Sequence, residues 1–98
     1  MAIVNFRGRG AADIAMLKNS KEARKTLPEH LHLQAVKKLS LLNAASKLEQ
    51  LFAMRGLRIE KLKGKKEGTY SIRINSQYRI CFKFVGGNAI DVEIIDYH

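Results

Sequence analysis

The apolar positions of this chain follow two different periods. In the first half they recur every three to four residues, and in the second half every two. In "AADIAMLKN", Ala11, Ile14, Ala15 and Leu17 have the spacing of a short helix. From Glu29 onward, Leu31, Ala35, Leu39 and Leu42 form one stripe, broadened by Val36, with Gln34, Lys37 and Lys38 largely off it. Pro28 suits the first turn of that helix, with Thr26 or Leu27 near its cap. "SKLEQLFAM" predicts one more short helix, capped by Ser46 with Glu49 at the capping-box position. The intervening "SKEARKTLPEH" is polar, and no apolar stripe marks it. Ahead of all these, "AIVNF" predicts a strand over residues 2–6, and "RGRG" a flexible turn.

The period then switches to two. Tyr70, Ile72 and Ile74 oppose Ser71, Arg73 and Asn75. Tyr78, Ile80, Phe82 and Phe84 oppose Arg79, Cys81 and Lys83, and Ile90, Val92 and Ile94 oppose Asp91, Glu93 and Ile95. "NSQ" and "GGN" have hairpin-connector chemistry, so this half reads as a three-stranded antiparallel meander. One face is apolar and needs a cover, which the N-terminal helices supply. The expected fold is α+β: an N-terminal strand and two to three helices packed on a twisted, mainly antiparallel sheet. With 98 residues and no repeat or linker, residues 1–98 are expected to form one domain.

Charge adds a functional direction. The chain has 18 Lys and Arg against 9 Asp and Glu, a formal +9. Between Arg55 and Lys83 there are nine basic residues and two acidic ones; beyond Lys83 the charged residues are Asp91, Glu93 and Asp96. So uneven a basic excess favours a polyanionic partner: nucleic acid, ribosome, anionic membrane or acidic protein. Period two puts Arg73, Arg79 and Lys83 on one exposed side, beside the loop "KLKGKKEG". That face reads equally as an RNA or phosphate surface, or as a structural one whose bases pair with Asp91 and Glu93 across strands.

Other chemistries are poorly supported. The single cysteine, Cys81, lies in a strand pattern and builds neither a disulfide framework nor a metal site. His30 and His32 are two apart in a helix and point to different faces, so they read as surface histidines. The Gly spacing of a phosphate-binding P-loop is absent from "KLKGKKEG". No apolar run approaches the roughly 18 residues of a membrane span, and the N-terminus has no signal-peptide pattern. A cytoplasmic protein without metal or other cofactor is the simplest expectation. RNA cleavage needs neither, because the ribose 2′-hydroxyl attacks the adjacent phosphate. Lys63, Arg73 and Arg79 on the sheet face or its rim, with Asp96, Tyr97 and His98 after the last strand, offer the required groups. On pattern alone, "DYH" reads more simply as a frayed tail.

A resemblance changes that balance. "RIEKLKGKKEGTYSIRINSQYRICFKF", followed by "NAIDVEIIDYH", resembles the HigB branch of the RelE-like toxins of bacterial toxin–antitoxin modules. It is close over residues 57–98: the "LKG" element, the strand "SIRIN", "QYRICF" and "DYH". The first half agrees in helix order and in the "RGRG" turn. The resemblance implies a ribosome-dependent mRNA endonuclease that cleaves the A-site codon by metal-free 2′-hydroxyl attack. It implies a helix-turn-helix antitoxin of HigA type as partner, with operator DNA reached only through that antitoxin. By position, Lys63, Arg79, Asp96, Tyr97 and His98 match the family's catalytic set. Lys63 and Arg79 would neutralise phosphate, Tyr97 would stack on a nucleotide, Asp96 would orient Lys63 or His98, and His98 would transfer a proton. Lys61, Lys65, Lys66, Arg73 and Lys83 would contact RNA or ribosome. Glu60 stands where some relatives have histidine, and is expected to act as a base or to hold Lys61 or Lys63. Tyr70 replaces a common tryptophan as a core aromatic. Two other readings remain: a ParE-like gyrase inhibitor of the same fold, and a non-catalytic basic RNA-binding domain.

Overall fold

The computed structural model describes residues 2–63 and 68–97. Four α-helices precede the sheet: α1 (Arg9–Ala15), α2 (Lys21–Thr26), α3 (His32–Ala44) and α4 (Leu48–Phe52). Single 3-10 turns, Glu29–Leu31 and Arg55–Leu57, lead into α3 and follow α4. Strands β1 (Glu60–Lys61), β2 (Thr69–Arg73), β3 (Tyr78–Val85) and β4 (Asn88–Asp96) form one antiparallel sheet in sequential order. The expected meander is therefore present, with a two-residue edge strand added ahead of it.

The α3 stripe forms as its spacing predicts: Leu31, Ala35, Leu39 and Leu42 are all buried in one core with Ile72, Ile80, Phe82 and Val92 of the sheet. Truncating Leu42 to alanine is expected to cost about 2–5 kcal/mol. Tyr70 joins this layer, stacked on Phe82 with ring centroids 6.0 Å apart and edge-on to Phe52 at 6.3 Å. Lys38 crosses from α3 to the end of β2, its Nζ donating to the Arg73 carbonyl at 2.6 Å. Burial, and then the neighbouring Arg73 charge, lower its pKa from 10.5.

Four expectations are corrected. The polar stretch after "LKN" contains α2, whose signal is its cap: the Ser20 hydroxyl oxygen accepts from the Ala23 N–H at 3.0 Å. Gly10 lets α2 approach α1, since a Cβ there would stand 2.8 Å from the Glu22 carbonyl oxygen. At α4, Gln50 rather than Glu49 reaches back, its Oε1 accepting from the Ser46 N–H at 2.8 Å. Residues 2–6 do not form a regular strand. They run parallel to β4 through isolated bridges Ile3–Ala89 and Phe6–Val92.

The fourth correction is in β4. Cys81 pairs with Glu93 but Lys83 with Ile90, so β4 carries an extra residue between them. Asp91 absorbs it with φ 52°, a conformation Asp tolerates better than most residues. Asn5 locks the bulge from both sides: its Nδ2 donates to Asp91 Oδ1 at 2.9 Å and its Oδ1 accepts from the Asp91 N–H at 3.0 Å. The extra residue inverts the alternation, so Ala89 enters the core instead of Ile90.

Both hairpin connectors behave as their residues predict. Asn75 Oδ1 accepts from the Gln77 and Tyr78 N–H groups at 2.9 and 2.8 Å, folding the β2–β3 turn. Gly86 and Gly87, both at positive φ, form the β3–β4 turn.

Candidate active site

The sheet face away from the helices carries Glu60 from β1, Ser71 and Arg73 from β2, Arg79 from β3 and Glu93 and Ile95 from β4, as the register dictates. Arg73 and Arg79 are directly paired across strands, an arrangement that repels. The two guanidiniums turn opposite ways. Arg73 Nε donates to the Asn75 carbonyl at 3.2 Å, toward the turn. Arg79 leans back along the sheet, where its Nη1 donates to Ser71 Oγ at 2.8 Å and its Nη2 lies 3.4 Å from Glu60 Oε1.

Tyr97, just past β4, completes this corner. Its ring lies over the guanidinium, with Arg79 Cζ 5.1 Å from the ring centroid, within cation–π range. Arg79 is consequently only 8% exposed, although its position in the pattern predicts an open side chain. The tail after β4 is also tied down. The Tyr97 N–H donates to the Gln77 carbonyl at 2.6 Å, and Gln77 Nε2 donates to Asp96 Oδ2 at 2.9 Å. The frayed-tail reading therefore fails up to residue 97.

Lys63 reaches the same edge. With Leu62, Ile95, Asp96 and Tyr97 it lines an open cavity of about 310 Å³. Lys63, Arg79, Asp96 and Tyr97 thus occupy one corner of the molecule, through this cavity and the Arg79–Tyr97 contact. His98, Lys65 and Lys66 lie outside the described residues.

The remaining assignments are altered by the geometry. Lys61 pairs with the core residue Tyr70 and so shares the helix side of the sheet, away from Arg79. Glu60 stands against Arg79 rather than against a lysine. Asp96 accepts from Gln77 Nε2 at 2.9 Å, a partner the sequence did not suggest. Lys83 is exposed, at the far end of β3 from Arg79. The cross-strand pairing offered as an alternative also takes other partners: Glu93 meets Arg7 at 3.3 Å, and Asp91 meets Asn5. His32 is structural, its Nε2–H donating to the Leu27 carbonyl at 2.7 Å. Sequence reasoning missed Ser71 and Gln77. Their only signal was a small polar residue mid-strand and an amide in a turn, both ordinary in isolation.

The architecture is that of the RelE-type toxins. A solved structure, "The structure of YoeB dimer from Staphylococcus aureus", superposes with a TM-score of 0.54 at 22% identity, covering 100% of this chain and 97% of the other. The family is set by sequence. The model of the family described as "RelE-like toxin of type II toxin-antitoxin system HigB" matches residues 15–98. Toxin HigB-1 of Vibrio cholerae serotype O1 is 37% identical over 65 residues, 66% of this chain and 68% of that protein. The chain belongs to the HigB-like toxins of type II toxin–antitoxin systems, and membership implies a cognate antitoxin. Among the described residues, no helix is long and apolar enough to cross a membrane.

Proposed function

We propose that this protein is a ribosome-dependent mRNA endonuclease that cleaves the codon in the A site. The observation that carries the reading is the Arg79 corner: a buried, doubly hydrogen-bonded guanidinium beneath an aromatic ring, with a lysine and two carboxylates at its margin. A cation held in a low-dielectric setting stabilises charge developing on a phosphate more strongly than one in water.

In this reading the ribose 2′-oxygen attacks the adjacent phosphorus in line. The O2′–P bond forms as the P–O5′ bond breaks, giving a 2′,3′-cyclic phosphate and a free 5′-hydroxyl. Glu60 takes the 2′-hydroxyl proton, and His98 supplies one to the departing O5′. Arg79 and Lys63 hold the negative charge on the non-bridging oxygens. Tyr97, 47% exposed, offers a ring face on which a base stacks. The nucleophile belongs to the RNA, so the chemistry requires no metal. Lys83 and Arg73 contribute to long-range attraction of RNA, as do Lys65 and Lys66.

The test is to map mRNA 5′ ends after brief expression of the native protein, Arg79→Ala and His98→Ala. The expected result is cuts within translated codons that both substitutions abolish. Absence of cuts, or cuts unchanged in both variants, overturns the assignment in favour of a toxin without nuclease chemistry.

A further inference from the structure

Ser71 is an unusual residue at its position. It sits in the middle of β2 on the face that should meet solvent, yet it is 0% exposed. Its lateral neighbours are Glu60 on one side and Cys81 on the other. The Arg79 side chain covers it by leaning diagonally across from β3, two residues from its directly paired position. A larger side chain at residue 71 would occupy the space the guanidinium fills. An alanine would leave the space but remove the acceptor.

The two edges of the guanidinium are held differently. Nη1 points inward to the buried Ser71 hydroxyl at a short 2.8 Å. Nη2 points outward to Glu60 at 3.4 Å, and that carboxylate is 57% exposed. The inner bond is shielded from water. The outer one is long, solvated and easily exchanged for another oxyanion. Arginine's planar fork makes this division possible, because fixing one edge fixes the direction of the other.

We infer that Ser71 is a positioning residue: it anchors the inner edge of Arg79 so that the outer edge faces a phosphate oxygen, which replaces Glu60 there. The inference rests on the nuclease reading for its consequence, but not for its geometry. Ser71 itself touches no RNA. It contributes orientation, and misplacement of a charge-stabilising group by a fraction of an ångström to an ångström is enough to slow such reactions about ten- to a hundredfold.

The experiment compares the native protein with Ser71→Ala, Arg79→Lys and the double variant, and uses two readouts. The first is the rotation of the Arg79 guanidinium, followed by NMR of its Nη nitrogens in the isolated protein. The native protein gives slow rotation with separate Nη signals, and Ser71→Ala gives fast, averaged ones. The second is single-turnover cleavage on 70S ribosomes programmed with a defined mRNA. Ser71→Ala lowers the maximal rate about ten- to a hundredfold, with little change in the ribosome concentration giving half that rate. In the Arg79→Lys background, Ser71→Ala causes no further loss.

Slow rotation retained in Ser71→Ala overturns the proposal, and so does an equal Ser71→Ala loss in both backgrounds, which marks a general packing defect. If the native protein cleaves no mRNA, the nuclease reading fails and rotation alone decides Ser71. Thermal unfolding confirms that each variant is folded. Should Ser71→Ala not fold, Ser71→Cys keeps the volume with a much weaker acceptor and carries the same two readouts.

Discussion

Arg79 and Lys83 begin as equals. They lie on the same strand and the same face of the sheet, and carry the same charge. Arg79 is buried and held by Ser71, Glu60 and the Tyr97 ring. Lys83 stays exposed in an open polar depression of about 240 Å³, which it lines with Arg7, Asp91 and Glu93. Their neighbours make the difference. Beside Arg79, β1 adds a carboxylate and β4 runs on into a tethered tail. At Lys83, β1 is no longer alongside and β4 has not yet entered its bulge. A charge of fixed direction can stabilise a particular oxygen, whereas a mobile one only raises the local potential.

The strongest challenge to this contrast is substitution at both ends. Arg79→Ala is expected to reduce mRNA cleavage at least a hundredfold, on the scale of losing a preorganised charge-stabilising group. Lys83→Ala should leave maximal cleavage within a few-fold, as expected for a peripheral phosphate contact. Equal losses, measured as single-turnover rates, would erase the distinction. Tyr97→Ala should slow cleavage about tenfold, in line with stacking worth about 1–3 kcal/mol per base, while Tyr97→Phe, which keeps the ring, should cleave nearly as the native protein does.

The bulge gives a test on stability. Asp91→Val places a β-branched residue at φ 52° and removes the bond that Asn5 Nδ2 donates to the Asp91 carboxylate. The backbone term alone is about 1–2 kcal/mol. At about 4–8 °C per kcal/mol for a domain of this size, calorimetry should show a clear fall in Tm. A Tm unchanged by this substitution would mean that neither the backbone conformation at residue 91 nor its bond to Asn5 stabilises the β4 bulge. Lys83→Ala should also reduce the slope of ribosome affinity against salt by about one, affecting all mRNA sequences alike.

The smallest effect concerns Lys38. Its folded pKa is lowered from 10.5 by burial and then by Arg73, so above that lowered value the unfolded chain binds more protons than the folded one. Stability from this group therefore rises as pH climbs from the lowered value toward 10.5. Below both values the buried charge is a constant disadvantage. Lys38→Met should flatten the alkaline rise in Tm, even though it loses the bond to the Arg73 carbonyl.

The sheet and α3 were legible because each repeats a period long enough to be unmistakable. The first half of β4 was misread, because one inserted residue at Asp91 puts the positions before it out of phase with those after it, and period counting cannot see an insertion. α2 escaped because a six-residue polar helix has no stripe, only its Ser20 cap. β1 escaped because two residues have no period. At the candidate site, the family resemblance nominated the residues and the alternation predicted the face of Arg73, Arg79 and Lys83. Neither carried the burial of Arg79, which depends on Ser71 being small and on a tail that folds back through Gln77. The partner of Glu60 was hidden for a related reason: Lys61 and Lys63 are nearest to it in sequence, but the sheet sets Arg79 against it.

The parallel bridges between residues 3–6 and 89–92 join segments more than eighty positions apart. Closing so long a loop is entropically costly and comes late in folding. The Arg79 corner draws on β1, β2, β3 and the segment after β4, so it too is incomplete until the last strand docks. A chain whose β4 has not docked has neither Tyr97 over Arg79 nor the N-terminal segment in place. Docking of the last strand therefore does two things in one step: it brings the Tyr97 ring over Arg79 and gives residues 3–6 the strand they bridge to.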